Sequence, residues 1–426
     1  LDVNSGSAVS PVLTAGDDVE AIAIRQSVLF VGGGFNSIGG VRRNQLAACD
    51  ATTGVTTSWN PDPNGLVLAL TTVAGGPIYA GGTFTTIGGA DRNNIAALDS
   101  STGAATGWDP NSNSGVTTLF PSGSIIYAGG HFSNIGGSNR SRIAALDATI
   151  NTNNATNWNP NGGGNAPLYA ILRSGTIVYC AGVFDTMGGA ARNRLAAVDA
   201  LINSNNATAW DPNADDAVRA IALSGNSLYA GGNFLNVGGT GRNRIAALDT
   251  TINTNQATAW DPNANDIVNV LTLGTGNAIF AGGEFTNVGG QTRPFLAELD
   301  RSINTNNATT WNPSPNDAVQ AISVNNLSVA VGGDFSTVAV LGTNGTQVTS
   351  GVVGDWENGA TWSGGSYPDN TMIGDHDIAD IRGANSIVTQ NIAAGVTVDA
   401  LILAESAALN VLTGDLNISS ASGIHN

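Results

Sequence analysis

The sequence has no lysine and few charged residues of any kind. All 15 basic residues are arginines, against 32 Asp and Glu, so the formal net charge is -17 at pH 7. A chain this acidic has no basic stripe to neutralise a phosphate backbone, which argues against nucleic-acid binding. Charged residues are only 11% of the chain while hydrophobic residues reach 42%. This balance favours a folded protein over a disordered polyanion.

Cysteine and long hydrophobic runs are also scarce. The two cysteines, Cys49 and Cys180, are interpreted as small buried core residues, with a disulfide or a reactive thiol as alternatives. No run of about 20 apolar residues exists, which predicts no membrane span. The chain opens at Leu1 without a basic-then-apolar leader and ends at Asn426 within a strand-like pattern. We therefore expect a processed or trimmed form of a longer chain.

A Gly-Gly-x-Phe signature recurs seven times, with Ala181 replacing the first glycine in the fourth copy. Six intervals span 300 residues, so the mean period is 50. This period is too long for ankyrin, tetratricopeptide or leucine-rich repeats and fits a four-stranded propeller blade. The sequence thus predicts an all-β, seven-bladed β-propeller over residues 1–350. The signatures end at Phe35, Phe84, Phe132, Phe184, Phe234, Phe285 and Phe335.

One repeat shows how a blade is assembled. Short apolar segments at Val218–Leu223, Ser227–Phe234, Arg244–Asp249 and Ala257–Trp260 predict four strands separated by turn residues. Pro262 ends the last strand because proline cannot donate to a ladder. The glycines of the second strand leave room for close approach of a neighbouring backbone.

Two residue types recur at fixed places in the repeat. A large ring at the end of each repeat is expected to fill the wedge between adjacent blades. These rings are Trp59, Trp108, Trp158, Trp210, Trp260 and Trp311. The recurring arginines are Arg43, Arg92, Arg140, Arg192, Arg242 and Arg293. Each is predicted to bond the Asp that closes the third strand, with a functional arginine ring around the axis as the alternative. These aspartates are Asp50, Asp99, Asp147, Asp199, Asp249 and Asp300.

The chain ends also fit a ring. Leu1–Ala8 aligns with Leu98–Ala105, while the seventh repeat lacks its own third-strand motif after Phe335. The N-terminal segment is therefore predicted to supply the outer strand of the seventh blade and remove an open edge. The alternative places shortened strands at Val338–Leu341 and Gly345–Val348.

The repeat resembles a known family. Tyr-Ala-Gly-Gly-x-Phe, then Ile-Gly-Gly-x-x-Arg-Asn-x-Ile-Ala-Ala-Leu-Asp, then Trp-Asn/Asp-Pro, is similar to the delta-sixty repeat. That resemblance covers about residues 1–350 and implies a β-propeller of large secreted or surface proteins of bacteria. It supplies no catalytic motif.

Residues 351–426 have a different pattern. Short β-rich runs such as Ser386–Thr389, Ala400–Leu403 and Ala408–Leu412 follow one another at nearly the spacing of solenoid rungs. The opening Trp356 to Trp362 segment, followed by Ser-Gly-Gly, resembles modules before stalk or sorting regions in surface proteins of Bacteroidetes-like bacteria. We therefore predict a small solenoid-like module that begins a stalk.

Motifs for chemistry are missing. No P-loop, Gly-x-Ser-x-Gly, Cys-x-x-Cys or His-Glu-x-x-His occurs, so no catalytic or cofactor-binding residue is predicted. Two Asp/Asn-rich loops resemble oxygen-rich calcium loops but are equally good turns, and turn chemistry is preferred. The weak calcium candidates are Asp211, Asn213, Asp215, Asp261 and Asn263.

Three function classes remain. The favoured hypothesis is a non-catalytic, extracellular or cell-surface protein, adhesive or structural, that forms part of an appendage or filament. Its partners are then other copies of itself or cell-surface proteins and glycans. The alternative is a secreted propeller that binds glycan or protein through the loops of one face. Least favoured is a carbohydrate-active enzyme, whose paired carboxylates need not form a local motif.

Overall fold

The structure is a computed structural model. It describes residues 13–163, 167–324 and 329–335 with their side chains, and the backbone of short strands between residues 340 and 418. The chain divides into two compact units, Leu1–Val338 and Ala339–Asn426. The predicted boundary at residues 350–351 lies outside the described residues and stays a prediction.

The first unit is an all-β ring of seven blades, as predicted. In each blade the chain runs through antiparallel strands in sequence order, starting from the inner strand. The first strands are Val19–Arg25, Val67–Thr72, Val116–Ser122, Leu168–Ser174, Val218–Ser224, Val268–Leu273 and Val319–Val324. The second are Val28–Gly33, Ile78–Gly82, Ile125–Gly130, Ile177–Gly182, Ser227–Gly232, Ala278–Gly283 and Val329–Gly333. The third are Leu46–Asp50, Ile95–Leu98, Ile143–Asp147, Leu195–Asp199, Ile245–Asp249 and Leu296–Asp300.

The fourth strand is shorter than predicted. In the fifth blade it is reduced to a single bridge between Leu248 and Ala257. The ladder stops there because side chains, not the third strand, hydrogen-bond the next backbone groups. Thr258 Oγ1 accepts the Trp260 N–H at 3.2 Å, and Arg242 donates to the Thr258 carbonyl at 2.6 Å. Five other blades end in the same way.

A small hairpin was missed by the sequence reasoning, which assigned a loop to this region. Asn236–Val237 pairs with Thr240–Gly241 across a two-residue turn. Gly238 and Gly239 have φ of +62° and +83°, the left-handed values that such a hairpin turn requires. Equivalent hairpins are Ser37–Ile38 with Val41–Arg42, Thr86–Ile87 with Ala90–Asp91, Asn134–Ile135 with Ser138–Asn139, Thr186–Met187 with Ala190–Ala191, and Asn287–Val288 with Gln291–Thr292.

The first glycine of each Gly-Gly pair holds adjacent blades together. A Cβ atom on Gly231 would lie 2.6 Å from Val268 Cγ1, so only a glycine lets the next blade's first strand approach this closely. The same contact closes the ring, because a Cβ atom on Gly332 would lie 2.3 Å from Val19 Cγ1. The seventh blade therefore packs on the first through the same glycine contact as the other blades that carry this glycine.

The tryptophans lie between adjacent blades. Trp210 is 3% exposed and packs among residues of the fourth and fifth blades. Its indole Nε1 donates to the Asp249 carbonyl of the fifth blade at 3.0 Å, and Tyr179 meets its ring edge-on at 5.5 Å. The other rings are equally buried: Trp59, Trp108, Trp158, Trp260 and Trp311. Hydrophobic contact and an inter-blade hydrogen bond thus act at the same residue.

The second unit contains short strands. Val340–Leu341 pairs with Gln347–Val348 in an antiparallel hairpin. Further on, three parallel pairs join strands whose partners lie 20 to 22 residues apart, an offset typical of successive solenoid rungs. They are Ile378–Ile381 with Ala400–Leu403, Ile387–Asn391 with Ala408–Thr413, and Thr397–Val398 with Asn417–Ile418. The predicted closing strand Leu1–Ala8 and the Trp356–Trp362 segment lie outside the described residues.

Candidate functional site

A bulge in each first strand directs one residue into the central channel. In the fifth blade Val218 pairs with Gly232 and Ala220 with Gly231, so Arg219 is left over. Since the first strands contact one another around the ring, the extra residue lines the axis. The seven bulge residues are half-buried and all different: Glu20, Leu68, Thr117, Tyr169, Arg219, Asn269 and Gln320.

A second variable position lies beside the bulge, at the x of Gly-Gly-x-Phe. Arg219 Nε donates to Asn233 Oδ1 at 2.7 Å, and Gln320 Nε2 donates to Asp334 Oδ2 at 3.3 Å, so the two positions share one end of the channel. The occupants are Gly34, Thr83, His131, Val183, Asn233, Glu284 and Asp334.

A third variable position precedes each third strand and has a left-handed backbone. Its residues are Gln45, Asn94, Arg142, Arg194, Arg244 and Phe295, with φ between +50° and +66°. The Arg142 guanidinium reaches back to the His131 and Phe132 carbonyls. Arg244 Nε lies 3.9 Å from Asp266, which precedes the next blade's first strand. We call these three positions together the channel mouth.

The charges of the channel mouth are divided between its two halves. Blades three to five contribute Arg142, Arg194, Arg219 and Arg244. At the junction of blades seven and one, carboxylates crowd together: burial and then Asp334 raise the pKa values of both Asp18 and Glu20. Burial and Arg142 lower the pKa of His131. The mouth therefore presents a cationic sector opposite an acidic one.

Removing the charge of Glu20 is expected to stabilise the protein at neutral pH. A carboxyl group whose pKa is raised in the folded state lowers the free energy of unfolding at pH values above its unfolded-state pKa. At pH values below that pKa the group is protonated in both states and has no effect. Glu20→Gln should therefore raise the unfolding midpoint at pH 7, and the gain should vanish as the pH falls below about 4, near the ordinary Glu value. Thermal denaturation of both proteins across this pH range measures the difference. An equal gain at pH 3 would contradict the electrostatic explanation.

The predicted Arg–Asp pairs at the repeat positions are wrong. Arg242 donates to the Gly241 and Thr258 carbonyls, and its ion pair at 3.6 Å is with Asp261, the residue after Trp260. Asp249, the expected partner, instead accepts the N–H of Thr251 in its own turn, at 2.8 Å. The same carbonyl bonds are made by Arg43, Arg92, Arg140, Arg192 and Arg293. Each recurring arginine thus links the hairpin before the third strand to the backbone two residues before the tryptophan.

The weak calcium candidates are not brought together. Asp211 pairs with Arg192 at 3.6 Å, as Asp261 does with its own arginine. Asn213 accepts a hydrogen bond from Asn193, and Asn263 accepts one from Asn243. Asp215 accepts the N–H groups of Leu235 and Asn236. Their oxygens face hydrogen-bond donors, as expected of turn residues rather than of a cation cage.

The two cysteines are part of the hydrophobic core. Cys49 and Cys180 are both free and buried, and burial raises the pKa of each thiol. Among the described residues, no group of three or more His, Cys, Asp or Glu side chains is placed to hold a metal ion. Within the same part of the chain, no helix has the length and apolar character needed to cross a membrane.

Sequence reasoning missed the channel mouth, although a signal was present. The residue two places after the recurring arginine changes from Asn94 to Arg142, Arg194, Arg244 and Phe295, while its neighbours repeat. Alignment of the repeats column by column separates these variable positions from the framework. It does not reveal that they lie together, because this depends on the bulge and on the left-handed backbone.

One family model matches part of the chain. It is described as a domain of unknown function (DUF5122) β-propeller, and it matches residues 277–302. This stretch contains the second and third strands of the sixth blade. No curated protein matches the chain in sequence.

Several solved structures resemble the chain at low sequence identity. A chain of the mitotic checkpoint complex is 15% identical with a TM-score of 0.51, covering 79% of this chain and 94% of that one. The WD40 β-propeller domain of Doa1 is 12% identical with a TM-score of 0.49, covering 78% and 94%. The Pan2 WD40 domain of Neurospora crassa is 11% identical with a TM-score of 0.48, covering 75% and 86%. The likeness to the chain of the mitotic checkpoint complex concerns the propeller fold alone.

Proposed function

We propose that the protein is a non-catalytic extracellular surface protein of the delta-sixty repeat kind, adhesive or structural, which binds through its channel mouth. The observation that carries this proposal is the distribution of variability. The framework tryptophans, arginines and glycines repeat in blade after blade, while the residues facing the mouth differ from blade to blade. A site made of unlike side chains on a rigid ring suits recognition of an asymmetric partner.

The second unit supports a role in attachment or self-association. Parallel strands with rung-like offsets end in edges whose backbone groups can pair with another strand. Such an edge suits β-augmentation by a second copy or by a surface protein. The partners proposed are therefore further copies of this chain and cell-surface proteins or glycans.

Cell fractionation tests this proposal. The protein should stay with the cell surface or with sheared filaments, and deletion of its gene should impair attachment. Recovery solely as a free monomer in the medium, together with normal attachment of the deletion strain, would exclude an adhesive or structural role. Glycan and protein arrays probed with the full chain test the alternative of a freely secreted binding propeller, which the open polar mouth also favours.

A further inference from the structure

Four of the chain's 15 basic residues lie at one sector of the channel mouth. Six of its 15 basic residues are framework arginines. Of the remaining nine, Arg142, Arg194, Arg219 and Arg244 belong to three successive blades and face the mouth. Arg194 and Arg244 adopt φ of +62° and +61°, values that cost a non-glycine residue about 1 kcal/mol.

One of these arginines, Arg244, lines a polar cleft between two blades. The cleft between blades five and six has a volume of about 390 Å³ and is lined by Asn243, Arg244, Asn263, Asn265, Asn287 and Gln291. Asn243 already donates to Asn263, and Asn265 already bonds Thr286 and Asn287. An amide carries two N–H groups and an oxygen with two lone pairs, so these side chains keep some capacity for sugar hydroxyl groups. Arg244 Nε has no hydrogen-bond partner among the described residues, and its carboxylate neighbour Asp266 is 3.9 Å away. The cleft therefore offers a cation surrounded by amides.

Arginine holds the same repeat position at the two preceding junctions. Between blades four and five, Arg194 follows Asn193, whose side chain donates to Asn213 at 2.7 Å. Between blades three and four, Arg142 follows Ser141, which donates to the Gly162 carbonyl at 2.8 Å. Arginine at one repeat position in three successive blades, among positions that otherwise differ, matches a ligand with regularly repeated charges.

We propose that this arginine sector binds a carboxylate-bearing polysaccharide, with successive acidic sugars placed at the arginines of successive blades. This inference rests on the proposed function, because it names the ligand of the same channel mouth. Arginine holds carboxylates through paired, charge-assisted hydrogen bonds. The amides hydrogen-bond the sugar hydroxyl groups, which an acidic peptide lacks. The Arg219 guanidinium lies over the ring of Tyr169, 5.8 Å from its centroid, and this contact holds the cation at the same sector.

Binding of the full chain to polygalacturonate, measured by calorimetry, tests the inference, with dextran as the neutral probe and polyglutamate as the acidic peptide. Polygalacturonate should bind, dextran should not, and affinity should fall with added salt because exposed charges are screened. The double variant Arg194→Asn/Arg244→Asn should lose affinity about tenfold or more. Asparagine occupies this position naturally at Asn94 with φ of +64°, so the variant should fold with an unchanged or higher unfolding midpoint.

The matched control is Arg25→Asn/Arg173→Asn, which removes the same charge at the opposite ends of two first strands. It should bind polygalacturonate as the unmodified protein does. Equal binding by the two double variants, or no binding of polygalacturonate by the unmodified protein, would overturn the inference. Tighter binding of polyglutamate than of polygalacturonate would replace the polysaccharide by an acidic protein segment. A strain that keeps its attachment with the Arg194/Arg244 variant but loses it on deletion would retain the proposed function and reject this ligand.

Discussion

Gly232→Ala is expected to destabilise the propeller by about 3 kcal/mol or more, while Gly231→Ala costs about 1 kcal/mol. A Cβ atom on Gly232 would lie 2.1 Å from the Ala217 carbonyl oxygen, which belongs to the backbone entering the same blade. A backbone atom cannot move away without breaking the bulge that places Arg219 in the channel. On Gly231 the obstacle is the Val268 side chain of the next blade, at 2.6 Å.

The fourth blade provides a natural precedent for this difference. Ala181 occupies the first position, is fully buried and packs beside Val218 of the next blade, whereas the second position remains Gly182. Blade contacts thus adjust to a methyl group at the first position. Urea and thermal denaturation followed by circular dichroism compare the two variants. Equal losses from Gly231→Ala and Gly232→Ala would show that the bulge carbonyl does not set the requirement for glycine.

Trp210→Ala is expected to destabilise the protein by about 3–5 kcal/mol, because it leaves a cavity between the fourth and fifth blades. The ring is 3% exposed, and it is held both by hydrophobic contacts and by the hydrogen bond to the Asp249 carbonyl. Its loss should lower the midpoint of urea denaturation.

Trp210→Phe is the matched control for the hydrogen bond. Phenylalanine keeps an aromatic ring near Tyr179 but removes the indole donor, so the Asp249 carbonyl loses its inter-blade partner. The expected cost is about 1–3 kcal/mol for the buried acceptor, added to the smaller loss of ring volume. A Trp210→Ala variant as stable as the unmodified protein, with Trp210 open to fluorescence quenchers in the native state, would refute the wedge role.

Repetition made the propeller predictable. Each strand is too short to identify alone, but seven copies of Gly-Gly-x-Phe and six of the tryptophan average out local ambiguity. The burial of Trp210 followed from its size and from its place at the end of every repeat. The mean period of 50 residues then selected a propeller blade over shorter helical or leucine-rich units.

The errors came from choices between several available partners. Arg242 had aspartates at two repeat positions within reach in sequence, and charge pairing favoured Asp249. In the folded blade the Asp249 carboxylate is already used by its own turn, so the arginine bonds the Thr258 carbonyl and pairs with Asp261. The length of the fourth strand was overestimated for a similar reason, because side chains rather than a neighbouring strand hydrogen-bond most of its backbone groups.

The sequence by itself determined the all-β class, the seven blades and the positions of the glycines, tryptophans and framework arginines, because these requirements are the same in every blade and recur as a pattern. Only the tertiary structure decided which variable residues share a site. Arg219 points into the channel because a bulge shifts the register by one residue, and Arg194 and Arg244 face the mouth because their backbone is left-handed. Register and backbone handedness depend on contacts between distant segments, so no local pattern of residues encodes the arginine sector.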